Sequence, residues 1–178
     1  STGAAGYADG ALGWAKFYEP KGITCSGAYC YIADRLNHSI RRMTIADGTI
    51  STIAGAPNES GQQTNAIGTA ARFNSPIAMA KVGADFYVTD GINHTIRKIV
   101  IASGHVTTYA GTAGSSGITD GASGVALFNA PSAITTDGTN LYVFDNGSYL
   151  IRKIVVSTAE TSTLAGSGWG FTDGASGA

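Results

Sequence analysis

Two histidines and three aspartates are the residues of this chain whose types and spacing are best suited to chemistry. His38 and His94 could bind a metal ion, while the carboxylates of Asp34, Asp90 and Asp145 could serve as acids or bases. Each histidine follows an aspartate by four residues, in "DRLNH" and "DGINH". A carboxylate that returns in the same local sequence is more typical of a capped turn than of a catalytic set. We therefore expect these side chains to be structural, with no metal and no cofactor.

The two cysteines, Cys25 and Cys30, are a second candidate for chemistry. They flank "SGAY", which we interpret as the turn between two antiparallel strands. Residues that face each other across such a hairpin can be close enough for a disulfide, and this is the pairing we favour. Two buried free thiols remain an alternative. Metal or redox chemistry also remains open, although a lone pair of cysteines is weak evidence for zinc.

The sequence segments that must position these residues occur three times along the chain. Asp34, Asp90 and Asp145 mark equivalent points, 56 and 55 residues apart. Further landmarks keep this spacing: a phenylalanine, a proline, an isoleucine before a basic pair, and a closing glycine. They are Phe17, Phe73 and Phe128; Pro20, Pro76 and Pro131; Ile40, Ile96 and Ile151; and Gly55, Gly111 and Gly166. A common period at so many positions indicates an internal repeat.

Each unit has the pattern of four short antiparallel strands. Val, Ile, Thr and Tyr dominate the strand segments, and Asp-Gly or Ser-Gly pairs mark tight turns. Repeated four-stranded sheets predict an all-β chain that folds as three blades of a β-propeller. The predicted organisation is a lead-in over 1–19, blades over 20–55, 76–111 and 131–166, inter-blade loops over 56–75 and 112–130, and the start of a fourth lead-in over 167–178. The loops repeat too, so we expect them to be ordered, with the phenylalanine plugging the seam between blades.

The signature of each unit resembles the NHL repeat, which is named for Asn-His-Leu. Asn37-His38 and Asn93-His94 match it, each preceded by the aspartate and followed by an isoleucine and two basic residues. The third unit departs from it at Ser148-Tyr149-Leu150, so we expect its turn to be built differently. The "DG…A.F..P" segment and the closing "LAG" are similar to a long-repeat subgroup of the family. The resemblance implies a propeller, commonly six-bladed, in a family that includes enzymes, RNA readers and protein-binding platforms.

Three blades are too few for a closed propeller, which has about four to eight. Each end blade would leave an apolar sheet face uncovered, so we predict that the chain forms half of a six-bladed ring. Its partner would be a second copy, head to tail in a dimer or a filament, or further blades of a longer chain. Aromatic residues near the two ends are candidates for this inter-chain seam, although they could instead fill the chain's own loops. They are Trp14, Phe17, Tyr18, Trp169 and Phe171.

The composition argues against several classes of function. Charged residues make up 13% of the 178 residues, and the formal net charge is −1. We therefore expect no nucleic-acid partner, and we interpret the basic pairs at 41–42, 97–98 and 152–153 as a solvated stripe or as inter-blade salt bridges. No apolar run is long enough for membrane insertion. A surface of small neutral side chains favours an extracellular or cell-surface location, with any leader already removed before Ser1 or the chain a fragment.

The sequence thus predicts a non-enzymatic extracellular module for protein–protein interaction or assembly. Two alternatives remain open. One is a metal-dependent lyase or lactonase-like propeller enzyme with histidines around its axis, although Tyr149 breaks that set. The other is a glycan-binding propeller that uses rim aromatic residues such as Tyr149 or Trp169.

Overall fold

The computed structural model describes residues 5–62 and 65–167, which form three antiparallel sheets, here called blades 1, 2 and 3. Blade 1 consists of β1 (Pro20–Ser26), β2 (Tyr29–Asp34), β3 (Ser39–Thr44) and β4 (Ile50–Gly55). Blade 2 consists of β5 (Ala66–Ile67), β6 (Pro76–Val82), β7 (Asp85–Asp90), β8 (Thr95–Val100) and β9 (His105–Ala110). Blade 3 consists of β10 (Pro131–Thr136), β11 (Asn140–Asp145), β12 (Leu150–Val155) and β13 (Thr161–Ala165). The described residues also contain two 3-10 helices, at Arg35–Asn37 and Gly68–Ala70. Within these described ranges, no helix is long and apolar enough to cross a membrane.

The strand order within each sheet is that of a propeller blade. Blade 1 runs β1-β2-β3-β4, blade 3 runs β10-β11-β12-β13, and blade 2 keeps the same order for its four long strands. The first strands of neighbouring blades pack against one another, with β6 touching both β1 and β10. A shared line of first strands is how blades meet around a propeller axis. The fold class predicted from the sequence is confirmed.

The connections between blades are parts of the sheets rather than simple loops. β5 lies inside the predicted inter-blade loop 56–75 and pairs with β9 at the outer edge of blade 2. Single bridges do the same elsewhere, from Gly10 to Ile50 in blade 1 and from Gly121 to Thr161 in blade 3. Each lead-in therefore covers the last strand of its own blade before the chain returns to that blade's first strand. The sequence missed β5 because a two-residue strand is too short to show an alternating pattern.

Apolar side chains join neighbouring blades in two seams, named seam 1–2 and seam 2–3. Each blade has a leading side, which faces the preceding blade, and a trailing side, which faces the next one. In seam 1–2, the trailing side of blade 1 packs against the leading side of blade 2. The buried members from blade 1 are Tyr31, Ala33, Ile40 and Ala54, and those from blade 2 and its lead-in are Ala71, Phe73, Met79, Phe86, Val88, Ile99 and Val106. Seam 2–3 contains Ala80, Tyr87, Ile96 and Ala110 against Ala126, Phe128, Leu141, Val143 and Ile154. Phe73 and Phe128 are fully buried, as predicted for a plug between blades.

The glycine that closes each unit is required by close packing against the preceding turn. Gly55 has a φ of 85°, in the left-handed region that favours glycine. A Cβ atom there would overlap the carbonyl oxygen of His38. The Ala-Gly ending of each repeat therefore lets β4 and its equivalents reach the turn before the third strand.

Replacing Phe73 by alanine should lower the free energy of unfolding by about 3–5 kcal/mol, because it leaves a cavity in seam 1–2. Phe17→Ala is the matched control, since Phe17 holds the same repeat position but is only half-buried beside the uncovered face of blade 1. We expect a smaller loss for this control in dilute solution. Urea unfolding of both variants measures the difference, and equal losses would contradict a role for Phe73 in the seam.

Candidate functional site

A buried network of hydrogen bonds lies at the turn between the second and third strands of blade 1. The side chains of Asp34 and Arg41 are fully buried. The Asp34 carboxylate accepts hydrogen bonds from the Tyr18 N–H at 2.8 Å, from Asn37 Nδ2 at 2.8 Å and from Arg41 Nη1 at 2.7 Å. The 3-10 helix that follows Asp34 brings Asn37, three residues further along the chain, into contact with the Asp34 carboxylate. The network therefore ties the lead-in, the turn and β3 to one point.

The same network recurs in the other two blades. In blade 2 the aspartate accepts from the asparagine at 2.8 Å and from the arginine at 3.0 Å. In blade 3 a serine hydroxyl replaces the asparagine at 2.5 Å, and the arginine lies 3.5 Å from the carboxylate. The residues are Asp90, Asn93 and Arg97 in blade 2 and Asp145, Ser148 and Arg152 in blade 3. The third turn therefore differs in its donor: a serine hydroxyl donates to the aspartate where blades 1 and 2 use an asparagine amide. The strands around the turn keep the same arrangement.

Burial raises the pKa values of two of these carboxyl groups. It raises the pKa of Asp90 to about 6, with the Arg97 guanidinium acting in the opposite direction. Burial likewise raises the pKa of Asp145 above its usual range. A perturbed acid in an open cleft points to catalysis, but both of these carboxyl groups are fully buried among structural partners. Their role in this arrangement is to position the strands.

A second carboxylate, from the lead-in, reaches the outer side of the buried arginine in blades 1 and 3. Asp9 accepts a hydrogen bond from Arg41 Nη2 at 2.7 Å and one from the Thr52 N–H at 3.0 Å. Asp120 makes the equivalent pair with Arg152, also at 2.7 Å. These carboxylates fasten the lead-in to both the third and the fourth strand of its blade. This bond anchors the lead-ins of blades 1 and 3 to their own sheets.

The basic pairs differ from the solvated stripe or inter-blade salt bridges predicted for them. The first member of each pair is fully buried, and the carboxylates bonded to it belong to its own blade and lead-in; these members are Arg41, Arg97 and Arg152. Their guanidinium groups lie 5.0–5.1 Å from the ring centroids of the lead-in phenylalanines. The isoleucine and the arginine are adjacent on the third strand and therefore point to opposite faces, the arginine toward the lead-in. The register shift beside them leaves one extra residue on the fourth strand, which is Ile53 in blade 1. The prediction was wrong for these first members, while the second members are partly exposed, as at Lys98.

His38 and His94 join neighbouring blades. The Nδ1 atom of His38 accepts the Ser75 N–H at 3.2 Å, and that of His94 accepts the Ala130 N–H at 3.0 Å. Burial lowers the pKa of His38, which favours the neutral form that this acceptor role requires. Among the described residues, no group of three or more His, Cys, Asp or Glu side chains could hold a metal ion. Tyr149 takes the equivalent position in blade 3 and is 49% exposed.

Cys25 and Cys30 form a disulfide across the first hairpin of blade 1, directly opposite each other in β1 and β2. In blade 2 the position of Cys30 is held by Phe86, which packs on Tyr31 with the ring centroids 4.4 Å apart. Cys30 lies two residues from Ile32 on the same strand, so both side chains point to the same face. No other blade among the described residues packs against that face of blade 1. Cys30 and its disulfide therefore occupy a position that belongs to a seam in blades 2 and 3.

The two end blades expose apolar side chains at repeat positions that a neighbouring blade covers elsewhere in the chain. The leading face of blade 1 is formed by Phe17, Ile23, Ile32 and Met43, around a hollow of about 370 Å³. Ile23 is 62% exposed, whereas Met79, at the same repeat position in blade 2, is 5% exposed. Sequence reasoning missed Ile23 as an interface residue, although the repeat alignment with Met79 carried the signal.

Blade 3 has the complementary trailing face, formed by Tyr142, Phe144, Ile151 and Leu164. A hollow of about 320 Å³ opens beside the first three of these residues. Leu164 is 55% exposed and Phe144 is 36% exposed. The equivalent residues of blades 1 and 2 face the next blade, as Ala33 does in seam 1–2.

The aromatic residues predicted for the inter-chain seam are placed in different ways. Phe17 lines the leading face. Trp14 and Tyr18 are 78% and 41% exposed in the lead-in. Trp169 and Phe171 lie outside the described residues. The metal-dependent enzyme and the glycan-binding propeller both stay predictions.

Sheets of four long strands around a shared line of first strands, each locked by a buried aspartate–arginine pair, define the chain as a segment of a β-propeller. No family model matches the sequence. NHL repeat-containing protein 2 of Homo sapiens is 24% identical over 163 residues, which cover 84% of this chain and 22% of that protein. SUPPRESSOR OF QUENCHING 1, a chloroplastic protein of Arabidopsis thaliana, is 28% identical over 159 residues, which cover 84% of this chain and 15% of that protein. The resemblance to the NHL-repeat family is thereby confirmed, and the chain spans only 15–22% of the length of these curated relatives.

A solved structure supports the same fold. An auxiliary nutrient binding protein from Bacteroides thetaiotaomicron is 28% identical, with a TM-score of 0.68. The match covers 74% of this chain and 36% of that chain. The matched part of this chain therefore corresponds to about a third of that longer protein.

Replacing Asp34 by alanine should lower the free energy of unfolding by about 3–5 kcal/mol, because it leaves the Arg41 charge buried without its inner carboxylate. The matched control is Glu19→Ala, which breaks an ion pair with Arg35 whose side chains are 47% and 33% exposed. That change should cost less than about 1 kcal/mol. Chemical denaturation measures both values, and similar losses would contradict the structural role of the buried network.

Lowering the pH should weaken the junction between blades 1 and 2 through His38. Its pKa is lowered from 6.5 in the folded state, so the unfolded chain binds the proton more readily. The stabilisation is therefore complete above pH 6.5 and is lost as the pH falls through the lower folded-state pKa. His38→Asn tolerates the left-handed backbone and does not titrate. We expect the variant to lose less stability than the parent between pH 8 and pH 5 in urea unfolding, and identical pH profiles would refute the role of His38.

Proposed function

We propose that the chain is a non-enzymatic NHL β-propeller module for protein–protein interaction, whose two end blades are covered by other blades. The observation that carries this proposal is the pair of uncovered apolar faces. Each is built from the repeat positions that are buried or partly buried where two blades meet. A monomeric soluble protein rarely leaves large contiguous apolar patches in water, so faces of this kind mark interaction sites.

The leading face supports this proposal through the contrast between Ile23 and Met79. The two residues occupy the same place in the first strand of their blades, but Ile23 is 62% exposed and Met79 is 5% exposed. The difference in exposure comes from the neighbouring blade, which covers Met79 in seam 1–2. At about 25 cal/mol per Å² of apolar surface, covering such a side chain is favourable by about 1.5–3 kcal/mol. A covering blade would supply that stabilisation at the leading face.

The side chains best suited to chemistry are engaged in contacts within and between blades, and this supports a non-enzymatic role. Asp34, Asp90 and Asp145 are fully buried and bonded to arginines. The ring nitrogens of His38 and His94 accept backbone hydrogen bonds between blades. A catalytic acid or base must instead reach a substrate proton at hydrogen-bond distance.

An extracellular or cell-surface location belongs to the same proposal. The Cys25–Cys30 disulfide supports it, because disulfides persist in oxidising compartments and are rare where thiols are kept reduced. The low share of charged residues, 13%, agrees with such a location.

A combined measurement of mass and dye binding tests the interaction module. We expect pure chain either to associate above its monomer mass of 18.1 kDa or, as a monomer, to bind an environment-sensitive apolar dye at its faces. Ile23→Glu should reduce association or dye binding. Ile92→Glu is the control, because Ile92 is 54% exposed in the turn between β7 and β8, away from both faces. A monomer that binds no dye would overturn the proposal.

A further inference from the structure

We propose that the partner is a second copy of this chain, with the trailing face of one copy seated on the leading face of the other. This inference rests on the proposed interaction function and names its partner. Two copies joined in this way at both ends would form one ring of six blades. That number lies within the range of closed propellers.

The seams inside the chain show what each uncovered face fits. In seams 1–2 and 2–3, the trailing side of one blade packs against the leading side of the next. Within residues 5–62 and 65–167, no blade packs on the leading face of blade 1 or on the trailing face of blade 3. The two hollows are similar in size, about 370 and 320 Å³. A second copy supplies both missing surfaces and continues an interface that the chain already makes twice.

Side-chain sizes at the new seam compensate one another. Where seam 1–2 has Phe86 on the leading side, the leading face has the smaller Cys30 in its disulfide. Where seam 1–2 has Ala33 on the trailing side, the trailing face has the larger Phe144. The exchange of a large and a small residue across a seam keeps the total volume to be packed about the same. Tyr142 takes the place of Tyr31, so its ring would lie against the disulfide of the second copy.

The backbone at the edge of the new seam already has the conformation of the internal seams. Ser75 and Ala130 have φ values of 61° and 52°, and their N–H groups donate to the histidine of the preceding blade. Glu19, at the same repeat position, has a φ of 50°. Within the described residues its N–H has no hydrogen-bond acceptor. Tyr149, at the histidine position, has a φ of 59° and would face Glu19 of the second copy.

Each new seam joins two different faces, so the pairing makes a specific prediction about mixtures of variants. Phe144→Glu removes the trailing face and leaves the leading face intact, while Ile23→Lys does the reverse. Either variant alone lacks one face in both seams and should pair at least about 30-fold more weakly than the parent. An equimolar mixture keeps one unaltered seam and places Glu opposite Lys in the other. Pairing should therefore return in the mixture.

Sedimentation velocity of the full chain tests the proposal. The parent and Ile92→Glu should have twice the 18.1 kDa chain mass, each face variant should be monomeric, and the mixture should recover the doubled mass in a 1:1 ratio. The rate at which a reductant opens the Cys25–Cys30 disulfide is a second readout, because pairing covers it. We expect slow reduction in the parent and the mixture, and faster reduction in each variant alone.

Several results would overturn the second copy as partner. A Phe144→Glu variant that still forms dimers would indicate that like faces pair. A ladder of higher oligomers would exclude closure by one partner. A monomeric parent that binds apolar dye would leave the interaction function standing with a different partner, whereas a monomer without dye binding would refute both proposals.

Discussion

The buried ion pair between an aspartate and an arginine is the constraint on which each blade depends. A guanidinium inside a protein is destabilising unless carboxylates and carbonyl groups satisfy it. Arg41 meets Asp34 on its inner side and Asp9 on its outer side, and it also donates to the carbonyl groups of Ala8 and Lys16. These partners come from the turn and from the lead-in. Arg41 has this full set of partners only when the lead-in, the second strand and the third strand are all in place, so it couples segments that are distant in sequence.

The seams between blades place a second, apolar requirement on the chain. Every blade has two different faces, and each face is complementary to the opposite face of its neighbour. Such units contact only the units beside them, and their stability depends on having neighbours. His38 and His94 add one hydrogen bond to each seam at its edge. The same arrangement that stabilises the middle blade leaves the end blades with apolar side chains exposed, so under the proposed function stability and interaction would use the same kind of surface.

The sequence was sufficient to predict the fold class, since strand-forming residues and turn signals return with one period in all three units. It also indicated that Asp34 and His38 were structural, because residue types repeated in the same local context rarely act alone. It could not predict the burial of Arg41, because a basic residue in an alternating strand normally points to solvent, and the lead-in that covers this one is distant from it in sequence. β5 was missed because its pairing depends on contacts that are distant in sequence. The exposure of Phe144 depends on which blade is absent, and a local pattern holds no information about that.

The route of each lead-in has a consequence for how such chains can grow. A lead-in crosses the last strand of the blade that follows it, and its aspartate and phenylalanine serve that same blade, as Asp120 and Phe128 serve blade 3. A segment that begins at the lead-in and ends at Ala-Gly thus contains both carboxylates that Arg152 contacts. Loss of the lead-in alone would keep the four strands of blade 3 but separate Arg152 from Asp120. A chain of this kind would therefore gain or lose a lead-in and its blade together.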